Sequence, residues 1–236
     1  MKNLITKYFS KHALPFIEKG SFRFGTLQSY RATEQQLLDR MSDDREGVVQ
    51  CAIHPEEGHI SQAVIQGITF ENCTFVNCGV PIMVQTEIND FVFCASIGGY
   101  DKSHHEHMLT GNPDLTEYAI LDLDLFIRGI RFSAPHQYNF NNKTGHPWLL
   151  CGHIIYDNPQ VEYHLPSSFN FNDHQSLPNE YERTVFCKPQ RFSHEKELRI
   201  VIRPNAPYFI PLSESHLTLE HRKLRESIVQ IKSINS

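Results

Sequence analysis

Two glutamates near the end of the chain are the strongest chemical signal in this sequence. They fall in the stretch Phe186-Cys187-Lys188-Pro189-Gln190-Arg191-Phe192-Ser193-His194-Glu195-Lys196-Glu197-Leu198-Arg199-Ile200-Val201. If Glu195 to Ile202 is extended, the two-residue period puts Glu195, Glu197 and Arg199 on one face and Leu198, Ile200 and Ile202 on the other. Two like-sided carboxylates about 7 Å apart repel, and they are tolerated when a cation sits between them or a substrate supplies the countercharge. Such a pair suits chemistry in which positive charge develops, such as departure of nicotinamide from NAD through an oxocarbenium-like state. A carboxylate there can hold a ribose hydroxyl and stabilise the cation. The structural alternative pairs Glu197 with Arg199 or a cross-strand lysine on an exposed face.

A second set of residues is suited to a dinucleotide. Arg23 or Arg31 could hold a pyrophosphate, because a guanidinium matches phosphate oxygens bidentately. Lys7 competes with them for a cationic role near the N-terminus, and Arg199 is a further basic candidate for the ligand. Tyr8 or Tyr30 could stack on a nicotinamide or a base. Taken singly, each of these is equally a surface or packing residue. His104-His105-Glu106-His107, with Asp101 nearby, would need ligands from elsewhere to hold a metal, and no metal is expected. Glu34, Asp39, Asp43, Asp44 and Glu46 could coordinate Mg²⁺ as in a nuclease, although an acidic helix end and turn explains them as well. The six cysteines contain no C-x-x-C pair, and most sit in apolar runs, so they read as buried thiols.

The elements that must position these groups come from a chain of 236 residues, 40% of them apolar, with a mean hydropathy of −0.39. That is enough for a core and too much for a disordered chain. No apolar run approaches the ~18 residues of a spanning helix, and the N-terminus has no long apolar region like that of a signal peptide. A cytoplasmic protein without membrane contact is expected. Net charge is −5, unevenly spread: Arg183 to Ser236 carries ten Lys and Arg against five Asp and Glu. A basic C-terminal segment suggests that phosphates of a nucleotide or a nucleic acid approach there, unless it is simply a solvated face.

Leu4 to Gly20 reads as a short strand or turn, then a helix closed by Gly20. Ser21 to Gly25 alternates as a strand, and Ser29 is placed to cap a helix from Tyr30 to about Met41. β signals dominate from Val48 to Cys94. The echo Phe70-Glu71-Asn72-Cys73 and Phe75-Val76-Asn77-Cys78 reads as a strand or hairpin, because two copies cannot stack into a solenoid. Phe91 to Ile97 is a buried strand, Gly98 to Asp114 a polar loop, and Tyr118 to Leu123 another strand. Trp148 to Tyr156 is strand-like, Glu180 to Lys188 a short helix, Leu198 to Ile202 a strand and Phe209 to Leu212 a further short one. Arg222 to Ile234 closes the chain as helix or strand. Many short strands with few helices read as α+β, in a single domain spanning 1–236.

Five blocks together resemble a large bacterial domain family of uncharacterised activity: Lys7-Tyr8, Phe22 to Gly25, Asp44-Arg45-Glu46-Gly47, Phe93-Cys94-Ala95-Ser96, and Lys188 to Arg199. The last block carries the K-x-x-x-F/W-x-x-E-x-E-x-R signature and is the specific one. The order of a Lys-Tyr or Arg, a strand serine and then E-x-E is also similar to ADP-ribosyltransferase-like toxins and anti-phage effectors. That resemblance implies a split mixed or antiparallel β-sandwich with peripheral helices. It further implies NAD as the consumed substrate, Ser96 on a middle strand positioning the nicotinamide ribose, Glu197 as the catalytic residue and Glu195 as its auxiliary carboxylate. Cys94-Ala95-Ser96 stands where those enzymes carry S-T-S, and Lys7, Arg23 and Arg31 compete for the first-strand cation. The implied function is an ADP-ribosyltransferase or NAD glycohydrolase, with water, a protein or a nucleic acid as acceptor. A non-catalytic nucleotide- or protein-binding module of the same fold, or a metal-dependent nuclease using Glu34, Asp44 and Glu46, are the alternatives.

Overall fold

The computed structural model describes residues 2–36, 47–65, 68–76, 79–134, 148–157, 161–165, 184–204, 210 and 214–233. Its strands are β1 (Leu4–Phe9), β2 (Ser21–Thr26), β3 (Val48–Pro55), β4 (Gly58–Ile65), β5 (Ile68–Phe75), β6 (Ile82–Glu87), β7 (Phe91–Ile97) and β8 (Glu117–Asp122). They continue with β9 (Leu149–His153), β10 (Ile155–Tyr156), β11 (Val161–Leu165), β12 (Cys187–Lys188), β13 (Glu197–Ile202), β14 (His216–Glu220) and β15 (Ile228–Ser233). The helices are α1 (Leu14–Glu18), α2 (Leu27–Gln36), α3 (Lys102–Gly111), α4 (Leu123–Ser133) and α5 (Arg222–Glu226). The architecture is mixed α and β around one large antiparallel sheet.

That sheet has eight strands, and β7 is its pivot. One edge of β7 pairs along its whole length with β13, from Ser96 opposite Glu197 to Phe91 opposite Ile202. The other edge is divided. β1 takes its C-terminal end, with Thr6 opposite Ser96, and β2 takes its N-terminal end, with Gly25 opposite Val92. Neither is in register with Phe93, Cys94 or Ala95, so the sheet is open there. Beyond β1 lie β8 and β15, beyond β2 lies β14, and β9 flanks β13. β3, β6 and β11 form a separate three-stranded sheet, and β4 with β5 a hairpin that includes the first half of the F-x-N-C echo.

Alternation sorts the residues of these strands. Phe93, Ala95, Leu198, Ile200 and Ile202 project into one apolar cluster with Phe22, Phe24, Phe126, Ile130 and Leu224. Helix α4 supplies Phe126 and Ile130, which share a face at i and i+4. It begins directly after β8, where the Asp122 carboxylate accepts from the Leu125 amide at 3.2 Å. The sequence pattern had shown no helix here, because the strand signal of Tyr118 to Leu123 runs into it without a break. Gly20 closes α1 with φ +79, the left-handed C′ conformation expected of it.

Other boundaries moved for local reasons. α2 starts at Leu27 because Thr26, rather than Ser29, is the cap: Thr26 Oγ1 accepts from the Ser29 amide at 3.0 Å. The polar stretch read as a loop from Gly98 contains α3, capped by Asp101, whose carboxylate accepts from the His104 amide at 3.1 Å. Cys187 and Lys188 form a strand, not the end of a helix. Cys151 is exposed rather than buried, because β9 pairs only with β13 among the described residues. Asp39, Asp43, Asp44 and Glu46, most of Phe209 to Leu212, and Asn77 and Cys78 of the echo lie outside the described residues. No helix among the described residues is long and apolar enough to cross a membrane.

Candidate functional site

The opened edge of β7 is where the functional candidates meet. A cavity of about 170 Å³ is lined there by Thr6, Lys7 and Tyr8 of β1, Tyr30 of α2, Cys94, Ala95 and Ser96 of β7, and Met108, Leu115, Lys188, Glu195 and Glu197. Lys7, Tyr8, Tyr30, Ser96, Glu195 and Glu197 are thus in one place although the chain separates them by up to 190 positions. Tyr30 reaches it over Gly25, where a Cβ would stand 2.8 Å from the tyrosine ring.

Lys7 arrives by an unusual route. Its neighbours Ile5 and Phe9 belong to the apolar cluster, and its Nζ stands 5.0 Å over the Phe93 ring on that side. The ammonium nonetheless donates to the Cys94 carbonyl at 2.8 Å, in the stretch that neither β1 nor β2 covers. A side-chain cation therefore satisfies an acceptor that a neighbouring strand would otherwise take. Burial holds the Lys7 pKa below the usual lysine range, against the pull of Cys94 and Glu197.

The two glutamates converge by a device the strand pattern did not foresee. Gln190 to Glu195 is a 3₁₀ turn, and Lys196 follows in the left-handed region at φ 46, ψ 43. The strand therefore begins at Glu197, and Glu195 is not part of an extended run. Lys188 Nζ lies 2.8 Å from Glu195 Oε2 and 2.8 Å from Glu197 Oε2, so one cation bridges both carboxylates. Arg199 Nε donates to Glu197 Oε1 at 2.6 Å, and its Nη1 donates to the Val185 carbonyl at 2.7 Å. All four side chains are buried, Arg199 to 1% exposure. Lys188 is fixed by a two-residue parallel ladder that sets it opposite Tyr156, whose hydroxyl accepts from the Glu197 amide at 2.8 Å.

Environment separates the two acids. Burial opposes ionisation of Glu197, but Arg199 and Lys188 outweigh it and hold the carboxyl well below the usual range. Glu195 is pushed up to about 7, first by burial and then by the neighbouring Glu197 charge, with Lys188 only partly offsetting both. Near neutral pH the pair therefore holds one permanent anion and one group able to give or take a proton. Burial raises Tyr8 and Tyr156 to about 12 each, and raises Tyr30 and the Cys94 thiol as well, so these groups are neutral.

Three basic candidates stand elsewhere. Arg23 is exposed on β2 opposite Thr218, and Arg31 pairs with Glu87 at 3.2 Å. Arg199 holds Glu197 from within the protein, so it is not placed to meet a phosphate. Glu34 lies on α2, and among the described residues no group of His, Cys, Asp and Glu is arranged to hold a metal. Lys188 was legible only as the first residue of the signature, and nothing in its spacing showed that it would bridge both acids. His104 was read within a loop, yet its Nε2 lies 2.8 Å from Ser96 Oγ. Comparison with protein-family models, curated proteins and solved structures finds no match.

Proposed function

We propose that this chain consumes NAD, as an ADP-ribosyltransferase or an NAD glycohydrolase, and acts in the cytoplasm as a bacterial toxin or anti-phage effector with an ADP-ribosyltransferase-like fold. The observation that carries this reading is the convergence of Ser96, Glu195 and Glu197 with Lys7, Tyr8 and Tyr30 around one cavity at the divided edge of β7. At about 170 Å³ the cavity suits a ring-sized group. It is below the roughly 300–1,000 Å³ of pockets that enclose a whole drug-sized ligand, so only the nicotinamide end of NAD would enter.

In this reading Tyr8 and Tyr30 flank the nicotinamide, and Ser96 meets the ribose. The bond from ribose C1′ to the nicotinamide nitrogen breaks with its electron pair leaving on nicotinamide. Glu197, anionic throughout, stabilises the positive charge left on the sugar. Water or an acceptor hydroxyl then bonds to C1′, and its proton passes to Glu195, whose pKa of about 7 suits that transfer. The acceptor, whether water, a protein side chain or a nucleic acid, follows from what the exterior admits.

The test is incubation of purified protein with NAD, followed by chromatography for free nicotinamide and for modified protein or nucleic acid. Release should fall about 100-fold or more in Glu197→Gln, the scale on which preorganised electrostatic groups act. No release and no modification at high enzyme concentration would overturn the catalytic reading. The non-catalytic module then stands in its place, and one observation favours it: both Glu197 oxygens are already engaged, by Arg199 and Lys188. Under that reading NAD, ADP-ribose or a cyclic nucleotide raises the melting temperature without turnover. Asp44 and Glu46 of the nuclease reading lie outside the described residues.

A further inference from the structure

Two lysines line the cavity at the edge of β7, and their surroundings differ. Lys188 stands 2.8 Å from a carboxylate oxygen of Glu195 and 2.8 Å from one of Glu197, so it is held as an ammonium. Lys7 is matched with no carboxylate among the described residues: its Nζ donates to the Cys94 carbonyl at 2.8 Å and stands 5.0 Å over the Phe93 ring. A carbonyl oxygen needs only one N–H from its partner, and a neutral amine supplies it while keeping a lone pair. An ammonium at that point would lack a counterion in contact, which penalises the charged form. Burial accordingly holds Lys7 below the usual lysine range, although Glu197 pulls the other way. The residue as a whole is only half-buried, so a small molecule can reach it.

We propose that Lys7 is a carbonyl-condensing amine, and that the cavity takes a small uncharged aldehyde or ketone with an aromatic or apolar substituent, bound covalently as an imine. The walls set that class. Tyr8, Tyr30, Met108 and Leu115 offer rings and apolar surface to the substituent, and about 170 Å³ holds one ring. The Glu197 anion opposes a carboxylate or phosphate on the ligand, because Lys188 is already engaged by both acids. The Cys94 thiol beside Lys7 is a poor competitor, since burial keeps it protonated. This activity goes beyond the NAD reading and does not depend on it.

The condensation uses groups already in the cavity. The Nζ lone pair bonds to the carbonyl carbon while the C=O π pair moves to oxygen. A proton passes from nitrogen to that oxygen, giving a carbinolamine. Glu195, whose pKa of about 7 suits the role, protonates the hydroxyl. Water leaves with the C–O electron pair, and the nitrogen lone pair closes the C=N bond. The product is an iminium cation, and the Glu197 charge that already acts on Lys7 stabilises it. Addition of water to the C=N bond reverses the sequence and frees the amine.

The test is reductive trapping of the full chain at pH 7 with benzaldehyde and sodium cyanoborohydride, followed by digestion and mass spectrometry to locate each N-benzyl lysine. Lys7 should be trapped about tenfold faster than Lys188 or the exposed Lys102 and Lys196, a margin well within what holding two reactants together supplies. Its rate should level off as benzaldehyde fills the cavity, while those of Lys102 and Lys196 rise in proportion. Benzyl alcohol, which fits the same space and cannot condense, should slow Lys7 alone. In the urea-unfolded chain the preference should vanish. Trapping at Lys7 no faster than at Lys102 overturns the proposal, as does a Lys7 rate that stays proportional to benzaldehyde or a preference that survives unfolding. If NAD is neither bound nor consumed, the catalytic reading falls, while the trapping result still decides this one.

Discussion

The two faces of β7 and β13 are built from alternate residues of the same strands, and both are buried, yet by opposite means. On one face Phe93, Ala95, Leu198, Ile200 and Ile202 pack against Phe126 and Ile130 of α4 and Leu224 of α5. On the other, Cys94, Ser96 and Glu197 line a cavity, Arg199 holds Glu197 from behind it, and the charges are closed by Lys188 and Glu195. The first face is stabilised by area removed from water and fails gradually when trimmed. The second is stabilised only while every charge has its partner, because a buried carboxylate or guanidinium left alone carries its whole desolvation penalty. A charged cavity wall and an apolar core can thus share a strand, at the cost of making one side intolerant of single changes.

The comparison breaks most readily at Arg199. Arg199→Leu should destabilise the fold by about 3–5 kcal/mol in chemical denaturation, since it strands Glu197 beside a single cation. Phe126→Ala on the apolar face should cost a similar ~3–5 kcal/mol through its cavity. The difference shows in rescue: adding Glu197→Gln to Arg199→Leu should recover part of the loss. If Arg199→Leu costs less than about 1 kcal/mol, the charged face is not held as described.

Acid and base sharpen it further. The folded pKa of Glu197 lies below that of the unfolded chain, so its contribution is present above about pH 4.5 and is lost as pH falls through the folded value. Glu195 has the opposite sign. Between its ordinary 4.5 and about 7 the folded state holds a proton that the unfolded state has released, so stability falls as pH rises through that window. Denaturation midpoints from pH 4 to 8 should show the decline in the native chain and lose it in Glu195→Gln. The smallest effect is expected at Lys196, left-handed at φ 46 between the two acids. Lys196→Gly should stabilise by about 0.5–1 kcal/mol, because glycine adopts that conformation without a Cβ clash and the Lys196–Asp101 pair at 3.5 Å is exposed. A loss of stability there would show that the turn is set by something other than backbone preference.

Much of the scaffold was legible. β7, β2 and most of β13 follow from alternation and apolar content, and Gly20 marked the end of α1 by the rule that favours glycine at a left-handed C′. The requirement for a cation between Glu195 and Glu197 followed from the repulsion of two carboxylates, but not its identity. Lys188 qualifies only because a two-residue ladder with Ile155 and Tyr156, about 30 positions away in the chain, sets it there. α3 was missed because polar composition masked an Asp cap, and with it went His104, whose importance lies in a contact with another element. Arg23 and Arg31 had the right chemistry but the wrong faces, which charge and spacing do not encode.

The sequence by itself determined the kinds of group available, the strands that carry them and the need to neutralise two neighbouring acids, because periodicity and electrostatic repulsion act over a few residues. Only the tertiary structure decided which cation does so, that the edge of β7 opens between β1 and β2, and that His104 of α3 stands 2.8 Å from Ser96 Oγ. Those outcomes depend on register and burial between segments distant in the chain, and they convert ordinary polar residues into groups with shifted proton affinities by removing them from water.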